Sequence, residues 1–97
     1  MASKFLVLWT LDLGRTSPEM ARTILRQQDY GARLEAQGKI TGRFHLVGGH
    51  GGAWIYNVES NAELDMLLAQ APVYNGAHYE VHPLVEMKAA APIVGDE

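Results

Sequence analysis

Cysteine is absent from the 97 residues. A disulfide staple, a thiolate zinc site and a thiol nucleophile are thereby excluded. Charge is also sparse: 20% of residues are charged, the balance is −3, and no basic cluster occurs. That argues against nucleic-acid binding, which rests on neutralising phosphates with Lys and Arg. No apolar run approaches the ~20 residues that a membrane span needs. Phe5-Leu6-Val7-Leu8-Trp9 is closely followed by Asp12 and Arg15, without a convincing cleavage site. A cytoplasmic, soluble protein is expected. What is present is apolar content, 47%, which argues against disorder. The length suits one domain, read as residues 1–87 with a C-terminal tail at 88–97, able to reach over a neighbouring subunit. So small a domain buries only about 60–65% of its unfolded surface, which leaves little surplus stability.

Local signals divide the chain into six elements. Phe5 to Leu11 is apolar at nearly every position and predicts a strand buried on both faces. Asp12 to Thr16, with Gly14, breaks the pattern. Ser17-Pro18-Glu19 combines a capping hydroxyl, proline at the first helical position and an acid near the positive end of the dipole. A helix from Pro18 to Gln37, ended by Gly38, is predicted. Its sheet-facing side is read as Met20, Ala21, Ile24, Gln28, Gly31 and Glu35.

Ile40 to Gly48 alternates, with Ile40, Gly42, Phe44 and Leu46 on one face and Thr41, Arg43, His45 and Val47 on the other. Gly48-Gly49-His50-Gly51-Gly52 reads as a hairpin loop, and Ala53 to Val58 as the return strand. Ser60-Asn61-Ala62-Glu63 is a capping box opening a second helix that ends before Pro72. The Asn75-Gly76 loop leads to a last strand over about His78 to Met87, with His78, Glu80 and His82 on one face. The order βαββαβ predicts an α+β, ferredoxin-like fold: a four-stranded antiparallel sheet with two helices on one face. Pro83 suits a last strand at the sheet edge. The other sheet face would carry Leu6, Leu8, Val47 and Ile55, with Thr10, Arg43, His45 and Glu80 among them. It is too apolar to face water. A second copy packed sheet on sheet, giving a dimeric α+β barrel, is the simplest expectation.

Standard chemical motifs are missing. The glycine-rich loop precedes a strand, so it is no phosphate loop, which requires a following helix. His78 and His82 share a strand face but would lie roughly 13 Å apart at ~3.3 Å per residue, too far for one zinc ion. No metal is expected. His50, at the loop tip, is a candidate acid–base group, since histidine changes protonation near neutral pH; a solvated turn residue is the plainer reading. Gln28, with Gln27 beside it, would face Trp9, Phe44, Trp54 and Tyr56 across a space enlarged by Gly31 and Ala32. A buried amide must be hydrogen-bonded. Either an aromatic-lined cleft for a planar ligand lies there, or an ordinary aromatic core with Gln28 bonded to backbone.

The stretch from Gly38 to Leu84 resembles the muconolactone isomerase family. The matching positions are Gly38, Gly48, Val58, Ser60, Leu64, Leu68, Gln70, Pro72, an aromatic at Tyr74, Glu80-Val81 and Leu84, with Phe5, Val7 and Thr10 in the first strand. The resemblance implies a cofactor-free isomerase that moves a double bond within an unsaturated lactone by proton transfer. It also implies a homodimer, or a larger homo-oligomer built from dimers, with ligand between helices and sheet. The family carries charged side chains in the middle of the first helix, where this chain has Ile24, Gln27 and Gln28, and basic residues where it has Leu6 and Leu8. That departure points to a more neutral, larger ligand of polyketide or aromatic type, acted on by an isomerase or a cyclase. The expected roles are catalytic for His50 and Gln28, and substrate binding for Trp9, Gln27, Phe44, Trp54, Tyr56 and Tyr74. A cofactor-free monooxygenase acting on a phenol and a non-catalytic ligand-binding or assembly protein are the alternatives.

Overall fold

The computed structural model describes residues 2–12 and 17–87. The elements are β1 (Ser3–Leu11), α1 (Pro18–Ala36), β2 (Ile40–His45), β3 (Gly51–Val58), α2 (Asn61–Ala69) and β4 (Ala77–Leu84). They build one antiparallel sheet in the order β2-β3-β1-β4. The order predicted from local signals is the order found. Most of the connection between β1 and α1, and the 88–97 tail with its expected reach over a neighbour, lie outside the described residues.

The helix ends follow their sequence signals. Ser17 Oγ accepts from the Met20 N–H at 3.1 Å, Pro18 occupies the first turn, and Gly38 beyond α1 takes a positive φ of 77°, which glycine adopts without the Cβ penalty. At α2, Ser60 Oγ accepts from the Glu63 N–H at 3.1 Å. Glu63 Oε1 reaches one residue further back than a regular capping box, to the Glu59 N–H at 2.8 Å. Pro83 lies on β4 at the sheet edge, opposite Phe5.

Both helices cover one sheet face. Phe5, Val7, Trp9, Leu11, Ile40, Trp54, Tyr56 and Val58 from the sheet meet Tyr30 and Leu34 of α1 and Leu64, Leu67 and Leu68 of α2 in one core. Fully burying such a side chain is worth about 1.5–3 kcal/mol. Tyr30 links the helices: its hydroxyl donates to the Leu67 carbonyl at 2.6 Å, an oxygen that the end of α2 leaves without an intrahelical partner.

Two predicted faces are corrected. The buried residues of α1 are Gln27, Tyr30, Gly31 and Leu34, so the helix is turned by about one position from the predicted side. Gln28 is exposed, while Gln27 is 1% exposed and accepts from the Val73 N–H at 3.4 Å. The second correction is in β2. Ile40 pairs with Tyr56 and Gly42 with Ile55, so two steps on β2 match one step on β3. Thr41 is the extra residue of a β-bulge, and side-chain alternation inverts after it. Arg43 and His45, opposite Trp54 and Gly52, therefore face the helices. Gly42 and Phe44, opposite Ile55 and Ala53, face away.

Candidate functional site

Gly51 and Gly52 belong to β3 rather than to the loop. Gly51 starts β3 opposite Thr10 near the end of β1, and a Cβ there would sit 1.9 Å from the Trp9 carbonyl oxygen. Gly31 plays the matching part on α1: a Cβ would lie 2.6 Å from Trp54 Cη2 and 2.9 Å from Arg43 Nη1. These close approaches fix the Trp54 indole against the helix. Trp9 meets it edge to face, with centroids 5.4 Å apart and planes at 82°.

Between the start of α1's second half and the β2–β3 end of the sheet lies a cleft of about 460 Å³. Trp9, Trp54, Gly52, Arg43, His45 and His50 line it, with Gln28, Asp29 and Glu35 from α1. Arg43 is its anchored cation. Nε donates to Glu35 Oε1 at 3.2 Å, Nη1 donates to the Gln28 main-chain oxygen at 3.2 Å, and the guanidinium carbon stands 5.7 Å from the Trp54 ring centroid. The side chain remains 28% exposed, so further N–H groups can meet a planar carboxylate in the forked geometry that guanidinium favours.

Trp9 adds a donor. It is 7% exposed, and its Nε1 has no hydrogen-bond partner among the described residues. An unmet buried donor costs about 1–3 kcal/mol. His50 is set at the cleft end, where its carbonyl accepts from the Leu11 N–H at 2.7 Å.

The expected site residues divide. Trp9, Gln28, His50 and Trp54 line the cleft. Phe44 borders it too, but its ring lies beside Gly42 and Ile55 on the far face. Gln27 and Tyr56 are both 1% exposed in the core and outside the lining. Tyr74, 48% exposed, packs near Tyr79 with centroids 6.2 Å apart, also outside the lining. Arg43, His45 and Glu35 were not expected in the site. The readable signal was Gly42, since an isolated glycine within a strand pattern marks a bulge. No group of three or more His, Asp or Glu side chains is placed to hold a metal ion among the described residues. No described helix is long and apolar enough to cross a membrane.

The sequence profile of the family described as Muconolactone delta-isomerase matches residues 4–90. This chain belongs to the muconolactone delta-isomerase family. Muconolactone Delta-isomerase 1 of Acinetobacter lwoffii is 37% identical over 59 residues, covering 61% of this chain and 62% of that relative. The match thus spans less than two thirds of the curated relative. A crystal structure of muconolactone isomerase at 3.3 Å resolution superposes with a TM-score of 0.79, covering 97% of this chain and 98% of that one at 20% identity. The likeness establishes the shared fold.

Proposed function

We propose that this chain is a cofactor-independent isomerase that shifts a double bond within an unsaturated lactone bearing a carboxylate. The observation that carries the reading is Arg43 in the cleft, held by Glu35 and the Gln28 carbonyl. A neutral ligand was expected from Ile24, Gln27 and Gln28 in place of helix charges, and from Leu6 and Leu8 in place of basic residues. The bulge supplies the cation from the sheet instead. In this reading Arg43 pairs with the carboxylate, Trp9 and Trp54 form the wall on which the lactone rests, and His50 takes a proton from one carbon and returns it to another. Gln28 contributes its main-chain oxygen, which orients Arg43. A second copy of the chain covers the open sheet face.

The test is turnover of muconolactone and of its methyl ester by the wild type and by Arg43→Met and Arg43→Lys. Loss of one bidentate charge-assisted contact should lower kcat/KM for the acid by about 10- to 100-fold in Arg43→Met. Arg43→Lys should recover part of the loss, and the ester should be little affected. Equal losses for acid and ester would remove Arg43 from carboxylate recognition. Oxygen uptake with a phenol would support the monooxygenase instead. Tight binding without conversion would support the carrier.

A further inference from the structure

The cleft holds a feature that carboxylate recognition leaves unused. A Cβ on Gly52 would sit 2.9 Å from Trp9 Nε1 and 2.8 Å from Trp54 Nε1. Two indole nitrogens from adjacent strands thus lie close together over one glycine on the cleft wall. Trp9 Nε1 is buried and has no partner among the described residues, although indole nitrogens usually find an acceptor when buried. Burial among aromatic rings lowers the local dielectric, where a donor aimed at developing negative charge counts most.

We propose that the Trp9 and Trp54 indole N–H groups form an oxyanion site for the lactone carbonyl oxygen. The assignment rests on the isomerase reading of the cleft and names the atoms that stabilise its intermediate. Removal of a proton from a ring-system carbon breaks a C–H bond, and the electron pair moves into the conjugated carbonyl to give an enolate. The proton stays on the base. The enolate oxygen takes the two N–H hydrogen bonds, which are stronger to it than to the neutral carbonyl. Return of the proton to another carbon regenerates the carbonyl with the double bond moved. No electron is gained or lost by the protein. Arg43, beside the Trp54 ring, keeps the carboxylate end apart from the reacting end.

The probe is tetronate, a stable five-membered lactone enolate. Its affinity is measured by calorimetry for the wild type and for proteins carrying 3-benzothienylalanine at position 9 or at position 54. That residue keeps the bicyclic shape and lacks the N–H, so packing is retained. Each replacement should weaken tetronate binding by about 10-fold or more, and should lower kcat for the lactone more than it changes KM. Unchanged affinity on replacement at either position, or no tetronate binding by the wild type, overturns the proposal. The two readings fail separately. Lactone turnover with N–H-independent tetronate binding removes the oxyanion site alone. N–H-dependent tetronate binding without lactone turnover removes the isomerase alone.

Discussion

At the scale of single residues, the buried polar groups have different fates. Trp9 Nε1 and the Tyr79 hydroxyl are both buried without a partner among the described residues, but only Trp9 of the two lines the cleft. Burial, with Tyr30 and Tyr74 nearby, pushes the Tyr79 phenol up to about 12. Burial raises Tyr30 and Tyr56 as well. These phenols stay neutral across the working pH range, so they pack rather than exchange protons, and Tyr30 also donates to the Leu67 carbonyl. Tyr79→Phe removes an unmet hydroxyl and is expected to be neutral or stabilising by up to about 1 kcal/mol. Tyr30→Phe strands the Leu67 carbonyl and should destabilise by about 1–3 kcal/mol. Paired urea denaturation curves measure both. A Tyr79→Phe protein as damaged as Tyr30→Phe would show that the Tyr79 hydroxyl has a partner.

At the scale of elements, the start of β2 is tied to α2 through one carboxylate. Glu63 accepts from the Glu59 N–H and pairs with Lys39. The backbone hydrogen bond first, and then Lys39, hold its carboxyl below the usual carboxylate range. A folded value below the unfolded one gives stability that is present above the unfolded value and lost as pH falls through the folded value. Glu63→Gln should therefore melt below the wild type at neutral pH. The gap should close as pH drops through and below the ordinary carboxylate range. A gap independent of pH would mean that the charge is irrelevant. The strands, caps and chain order were legible because each depends on local chemistry: Ser17-Pro18, Ser60 with Glu63, and Pro83 at an edge. The faces were less legible. In α1 the apolar stripe is thin, Leu25 is 62% exposed, and an amide, Gln27, takes a core position that an aliphatic residue would ordinarily mark. In β2 the inversion at Thr41 arises from pairing with β3, a long-range choice that strict alternation cannot encode. Trp9 and Trp54 were readable because alternation holds along their own strands, and His50 because it sits in the glycine-rich loop just before β3. Arg43 lies just past the bulge.

At the scale of the whole molecule, the sheet has an unfinished side. Leu6, Leu8, Ala53 and Ile55 are only half-buried, and Phe44 is 60% exposed, on the face away from the helices. A second copy packed on that face would remove this apolar surface from water. The single chain is 10.7 kDa, and light scattering should return twice that mass. Leu8→Glu places a carboxylate mid-face beside Glu80, its neighbour in the β1–β4 register. It should return the monomer mass, with about 1.4 kcal/mol lost from association for each tenfold rise in dissociation constant. A wild-type monomer at micromolar concentration would refute the paired sheet. The bulge at Thr41 gives this architecture evolutionary slack. Deleting that one codon would place Gly42 directly after Ile40, with Arg43 still opposite Trp54 on the helix side and Phe44 still opposite Ala53 on the far side. The strand can lose or regain a residue here in a single heritable step without exchanging its two faces.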